Sequence, residues 1–401
     1  MTSKHIYDTI IIGSGMAGLY SAYLIKRKNP DAKILILEKE NYSGGRAIMA
    51  NFDGINVVCG AGIGRRNKDI LLQELIDELD KNISHEFMVK HTYKKGIIHK
   101  FDYWHNYLQK AFHQKNKWSI MSFKNFAIQA LGINEYPNFV KANGYSDFEK
   151  ADFNDIMNNY GLEDNYKEYI GFGVNWKLLI DKMIEIIDKN NIKYKKNVIS
   201  VLTNNEGNIE IKCKNKSYSA KNVIIATTID TLKNLFPKID VYTQIKGQPF
   251  IRLYAKFNKS STEIINGLID HTYVVGEPLQ EIIPINKEKG IYMIGYADNS
   301  SANILEKHFN NENKFEYFEK LVATALNISS EQVKIIKLQS HYWKNGTHYN
   351  IPLKNYNSRE EFIMKAQNPI ENVYIVGEVV AKHQGWTEGA LESVQEIINK
   401  L

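Results

Sequence analysis

Two cysteines, Cys59 and Cys213, are all that 401 residues contain. They cannot build a disulfide framework and show no metal-binding spacing, so no metal site is expected and a reducing compartment is the default. No run of about 18 apolar residues occurs, which argues against a membrane-spanning helix. The apolar stretch near the N-terminus reads as a strand, without the basic leader or cleavage site of a signal peptide. The expectation is a soluble, cytoplasmic protein. Strong charge of either sign is missing too: 51 Lys plus Arg stand against 45 Asp plus Glu, a net charge of +6. With no basic stripe, that balance argues against a nucleic-acid partner. Internal repeats and long disordered linkers are absent. What remains is a globular chain of one or two domains, 43% apolar and long enough to bury a sizeable core.

Residues 7 to 46 read as a device for holding a dinucleotide. Tyr7-Asp8-Thr9-Ile10-Ile11-Ile12 is an apolar run suited to a buried parallel strand. Gly13-Ser14-Gly15-Met16-Ala17-Gly18 follows at once, then a helical stretch from Leu19 to about Lys28 that Asn29-Pro30 stops. Lys33-Ile34-Leu35-Ile36-Leu37 is a second strand, ending on Glu38 and Lys39. Gly13 permits the tight turn, Gly15 lets the backbone approach a pyrophosphate, and Gly18 lets helix and strand pack closely. The helix N-terminus offers unpaired N–H groups and a positive dipole end to phosphates. Glu38 stands about twenty residues past the last glycine, where an acid hydrogen-bonds a ribose hydroxyl and disfavours NADP. Glycine-rich turns alone are common; strand, glycines, helix, strand and acid in this order are specific.

Ser43-Gly44-Gly45-Arg46 comes next, followed by Asp53-Gly54 and by Cys59-Gly60-Ala61-Gly62-Ile63-Gly64-Arg65. Two adjacent glycines beside an arginine would bring backbone N–H groups and one guanidinium to the same pyrophosphate. A nicotinamide enzyme does not need this second clamp. At this point the chain resembles the flavin-containing amine oxidase superfamily, which joins GxGxxG, an acid, GGR and a glycine-rich stretch close to the flavin. Near the C-terminus, Asn372-Val373-Tyr374-Ile375-Val376-Gly377-Glu378 and then Gln384-Gly385-Trp386-Thr387-Glu388-Gly389-Ala390-Leu391-Glu392-Ser393 look like the superfamily's closing motif. Between them, Lys221-Asn222-Val223-Ile224-Ile225-Ala226-Thr227-Thr228 resembles the strand returning to the FAD domain.

The resemblance implies an α/β fold: a Rossmann-type FAD-binding domain interleaved with a mixed-sheet plus helical substrate domain. Residues 1–80, 190–240 and 365–401 would form the first, and 81–189 and 241–364 the second. It implies non-covalent FAD held by Gly13, Ser14, Gly15, Met16, Ala17, Gly18, Glu38, Lys39, Gly44, Gly45, Arg46, Gly60, Ala61, Gly62 and Ile63. Val198 would lie at the adenine side, Gly377 and Glu378 at the ribityl chain and pyrophosphate. Trp386, Thr387 and Ala390 would meet the flavin, with the helix from Thr387 aiming its N-terminus at the pyrimidine end. Partners would be a small-molecule substrate and molecular oxygen, and dimers are common in the superfamily.

Three residues are candidates for the chemistry. Trp386 falls where amine oxidases often place one wall of an aromatic cage; the plainer alternative is a tryptophan packing a sheet edge. Gly346-Thr347-His348-Tyr349 falls where monoamine oxidases carry Gly-Cys-Tyr with a flavin-linked cysteine. No cysteine is present here. His348 could line the pocket and act as a base, or be a surface histidine. Arg252 takes the place of a lysine that holds a water against flavin N5. Arginine is no tunable base, but it can hold a water, bind a substrate carboxylate or form a structural ion pair. The leading reading is oxidation of the C–N bond of an amine or amino acid. Carbon–carbon desaturation of the phytoene desaturase or protoporphyrinogen oxidase type is the alternative, favoured by an apolar tunnel without carboxylates. A catalytically silent flavin-binding protein is the third.

Overall fold

A computed structural model describes residues 6–114 and 120–400; residues 1–5 and 401, at the rims of the expected FAD domain, and 115–119 lie outside the described residues. Ile6–Ile12 pairs in parallel with Ile34–Leu37 on one side and Lys216–Ile225 on the other. Ile192–Lys193 extends the first edge in parallel. Val373–Ile375 pairs in parallel with the end of Lys216–Ile225, while Ile209–Cys213 and Val198–Thr203 continue that strand's start as antiparallel partners. These seven strands form one sheet. Successive side chains of a strand point to opposite faces. Ile11, Ile36 and Ile224 therefore enter one core, and Ile10, Ile12, Leu35, Leu37, Val223 and Ile225 enter another. Burial on both faces is why these strands are continuous apolar runs.

Helices Met16–Lys28, Ile70–Leu79, Trp176–Ile187 and Thr387–Ile398 cover the first face. Trp176–Ile187 shows how such a helix is specified. Asn175 caps it by accepting a hydrogen bond from the Leu178 amide at 3.2 Å. Trp176, Leu179, Met183 and Ile187 recur every three or four residues on one stripe and are fully buried. Each contributes about 1.5–3 kcal/mol relative to an exposed side chain. Sequence reasoning groups this helix with the 81–189 segment, yet its apolar stripe packs in the same cluster as Leu19 and Tyr23 of the glycine-led helix.

The second sheet runs in the order Ile335–Asn350, Ile245–Phe257, Ile291–Asp298, Gln280–Asn286, Thr272–Gly276, His91–Tyr93. Its pairs are antiparallel except the last. Ile251, Leu253, Ala255 and Phe257 turn toward a core shared with helices Asn299–Phe309 and Lys314–Leu326. Arg252 and Tyr254 take the opposite face. There Tyr254 Oη donates to the Val58 carbonyl at 2.7 Å and Arg252 Nε to the Gly60 carbonyl at 2.7 Å, seating the sheet on the glycine-rich segment. A third layer, helices Phe101–Gln114, Phe123–Leu131 and Tyr136–Asn143, packs around Trp104, Phe112, Phe123, Phe126 and Phe139. Several of these rings meet edge to face. Strands Ser84–Val89 and Tyr169–Val174 also arise within residues 81–189.

Candidate active site

A cavity of about 1150 Å³ is lined by residues of both sheets. Every expected cofactor residue lines it except Ser14 and Gly18. Those two act from behind. A Cβ on Gly18 would lie 2.0 Å from the Gly13 carbonyl oxygen, so only glycine lets the helix lie this close to the turn. Gly13 itself has φ +102°, and a Cβ there would meet the Ala226 oxygen at 2.3 Å. Ser14 donates through its amide (2.7 Å) and its hydroxyl (2.9 Å) to Glu38, whose other oxygen accepts from the Glu40 amide at 2.9 Å.

The two glycine turns meet. The Gly44 amide donates to the Ser14 carbonyl at 2.7 Å, and a Cβ on Gly45 would stand 3.2 Å from Gly15 Cα. Helices Met16–Lys28 and Thr387–Ile398 both begin at the cavity, and neither has a side-chain cap at its N-terminus. Helix-start amides without a side-chain acceptor, beside a backbone cradle free of Cβ atoms, suit a pyrophosphate. The residues present fit FAD.

Arg46 and Glu378 are engaged with each other. The Glu378 carboxylate accepts from Arg46 Nη1 and Nη2 at 3.1 Å, from the His348 amide at 2.7 Å and from the Gly385 amide at 2.9 Å. His348 Nδ1 lies 2.5 Å away, and its Nε2 accepts from the Ile229 amide at 3.3 Å, so the proton sits on Nδ1. Burial pushes the Glu378 carboxyl up, but His348 and Arg46 outweigh it and hold the group down to about 2. Glu378 thus ties the GGR turn, residues 345–348 and the start of the closing motif to one point. His348 is spent here: its side chain is fully buried and does not line the cavity. Neither pocket wall nor surface position describes it; it positions Glu378. Tyr349 packs toward the aromatic helical layer, and Thr347 faces the cavity instead.

Trp386 lines the cavity, and the Arg65 guanidinium stacks on its ring at 3.6 Å. Arg65 is in turn bound by Asp69 at 2.6 Å and Asp164 at 3.0 Å. An arginine with both carboxylates satisfied is a rigid backing plate for that wall. Arg252 also lines the cavity. It is buried, donates to the Gly60 carbonyl, and lies over the Tyr296 ring at 4.1 Å.

Sequence reasoning missed the far side of this cavity. Tyr145, Asp147, Tyr160, Glu281 and Tyr296 gather there. Tyr145 Oη donates to Glu281 at 2.7 Å and Tyr160 Oη to Asp147 at 2.5 Å. Burial pushes the Glu281 carboxyl up to about 8, against the lowering pull of Tyr145 and Arg252. Burial and then the nearby Asp298 raise Asp147 too. One signal was available: Glu281 is an acid directly before the apolar run Ile282-Ile283 in a core strand.

Residues 153–395, more than half of the chain, match the family profile "Flavin containing amine oxidoreductase". Residues 11–79 match an "NAD(P)-binding Rossmann-like domain". An uncharacterised protein of Acanthamoeba polyphaga mimivirus is 20% identical over 98% of this chain and 93% of its own. Among solved structures, a putrescine oxidase variant superposes with a TM-score of 0.75 at 13% identity, over 99% of each chain. Cyclohexylamine oxidase from Brevibacterium oxydans IH-35A gives 0.73 at 13% identity, over 99% of this chain and 98% of its own. A structure from Exiguobacterium sp. 255-15 named for protoporphyrinogen oxidase gives 0.70 at 12%, over 100% and 99%. These structures share the fold. The chain belongs to the flavin-containing amine oxidoreductase family.

Proposed function

We propose that this protein is an FAD-dependent oxidase acting on the C–N bond of an amine or amino acid. The observation that carries the reading is the acid- and tyrosine-lined side of the cavity, where Glu281 and Asp147 line the same space as Trp386 and Arg252. A pocket for a carbon skeleton alone would gain nothing from these buried acids, whose charged form is costly unless a cation joins them. That chemistry disfavours the desaturase alternative. When bound, FAD would supply a two-electron acceptor for a hydride from the carbon alpha to nitrogen, with imine hydrolysis by water and reoxidation by dioxygen to hydrogen peroxide completing the balance.

The chain's own residues do the rest. Gly13, Gly15, Gly44 and Gly45 admit the pyrophosphate to the backbone, and Glu38 meets the ribose. Trp386 on Arg65 forms one wall of the substrate space. The cysteines support non-covalent attachment. The segment Gly346-Thr347-His348 has none, and Cys59, which lines the cavity, is a poor nucleophile because burial pushes its thiol up to about 11. The domain division, the assembly and a cytoplasmic location remain part of the proposal. The test is anaerobic mixing of the FAD-loaded protein with monoamines, polyamines and amino acids. Bleaching of the flavin by one class, with peroxide when air returns, supports the reading. Bleaching by none sinks it and brings desaturation or a silent role forward.

A further inference from the structure

A guanidinium and a buried carboxyl group share this cavity without pairing. The Arg252 guanidinium donates through Nε to the Gly60 carbonyl at 2.7 Å and through Nη1 to the Met293 sulfur at 3.5 Å. Among the described residues it forms no ion pair with any carboxylate, although its side chain is buried. Glu281 is 1% exposed, and among the described residues its Oε1 has no hydrogen-bond partner and its Oε2 takes only the Tyr145 hydroxyl. Both groups are already out of water, so neither would incur further desolvation on meeting the other, yet they form no ion pair. Arg252 sits on strand 245–257 and Glu281 on strand 280–286, with strand 291–298 between them. Two strand spacings put their backbones about 10 Å apart.

The space between suits a short apolar chain. Met293 and Phe250 line the cavity beside Arg252, and Ile283 lines it beside Glu281. Arg252 also marks the reacting end. A Cβ on Gly62 would lie 2.6 Å from Arg252 Nη2, so the guanidinium rests on the glycine segment that the resemblance places next to the flavin. A carboxylate held there has its own alpha carbon one bond away, at the flavin end of the cavity. Asp147, held by Tyr160, adds a second acid on the Glu281 side.

We propose, building on the C–N oxidation reading, that the substrate is an amino acid with a cationic side chain, its carboxylate bound by Arg252 and its distal cation by Glu281. Each anchor then finds the partner the fold withholds from it. An uncharged or singly charged skeleton leaves one of them buried and unpaired.

The test compares three compounds on one carbon frame: lysine, cadaverine, which lacks the carboxylate, and norleucine, which lacks the distal ammonium. Each is mixed anaerobically with the FAD-loaded protein, and flavin reduction is followed against concentration. Lysine should reach half-maximal reduction at a concentration about tenfold or more below either analogue, since each charge-assisted contact is worth about 1.5–3 kcal/mol. In Arg252→Met the lysine-to-cadaverine preference should collapse; in Glu281→Gln the lysine-to-norleucine preference should. Cadaverine acting as well as lysine overturns this inference and leaves C–N oxidation standing. Equal slowing of lysine and cadaverine by Arg252→Met also overturns it, and assigns the arginine to the flavin. Reduction by a different amine or amino acid but by none of the three overturns this inference alone; reduction by no amine or amino acid at all overturns the oxidation reading and the inference with it.

Discussion

Replacing Glu378 by Gln tests the joint that holds the cofactor motifs together. The carboxylate accepts from five donors: two Arg46 nitrogens, the His348 amide and ring, and the Gly385 amide. An isosteric glutamine has one acceptor oxygen and would aim an NH₂ group at some of those donors. The structure also sets a magnitude. Each pH unit by which a carboxyl is depressed is worth about 1.4 kcal/mol, so holding Glu378 at about 2 instead of 4.5 contributes on the order of 3 kcal/mol. Removing one partner from a buried ion pair costs about 3–5 kcal/mol, which agrees. The sign follows from the depressed carboxyl. The stabilisation is fully present above pH 4.5 and is lost as pH falls toward 2. Thermal unfolding of the FAD-free protein should show Glu378→Gln melting about 3–6 °C below the wild type near neutrality. The gap should narrow on acidification below pH 4.5. A variant that melts within a degree or so of the wild type near neutrality, or a gap that widens in acid, would refute the reasoning.

Three further outcomes follow from the geometry. Gly18→Ala places a methyl 2.0 Å from the Gly13 oxygen, so the helix must back away from the turn; FAD affinity should fall about tenfold or more, and unchanged affinity by flavin fluorescence titration would count against the assigned turn. Glu388 is buried against the Leu71 and Leu72 amides; burial pushes its carboxyl up to about 7, with those amides opposing and Asp69 and Glu392 reinforcing. Because the folded state holds this proton more tightly, its contribution is greatest below pH 4.5 and fades as pH rises to 7, so Glu388→Gln should gain in melting temperature relative to wild type across that window; a pH-independent difference would contradict this. Arg65→Lys should loosen the Trp386 wall, since an ammonium has neither the fork for Asp69 and Asp164 nor the flat face for the ring; its protein fluorescence should shift, and a spectrum identical to wild type would show that the stack is not needed.

The cofactor side was legible because it is local. Gly13, Gly15, Gly18 and Glu38 lie on one strand–turn–helix–strand unit, where spacing and geometry are nearly the same thing. Local pattern also marks helices Ile70–Leu79 and Trp176–Ile187, whose apolar residues recur at helical spacing, and the strand Ile245–Phe257 that carries Arg252. The substrate side was not legible. Glu281, Asp147 and Arg252 come from three distant segments, and only the pairing of strands 245–257, 280–286 and 291–298 and the packing of the aromatic helices bring them together. His348 misled for the same reason. A histidine beside a glycine motif looks free in sequence; its capture depends on Glu378, thirty residues away. Residues 343–349 belong to the sixteen-residue strand Ile335–Asn350, which the sequence motif at Gly346 does not announce. Gly346 is small there because the Phe250 side chain crosses over it, 2.5 Å from where a Cβ would stand.

The most direct test of the central claim is the flavin content of the purified protein after saturation with FAD and removal of the excess, followed by acid unfolding. The account predicts one FAD per chain, released intact into the supernatant, with no stable binding of NADP. Absence of bound flavin, or flavin that stays attached to the unfolded chain, would contradict it.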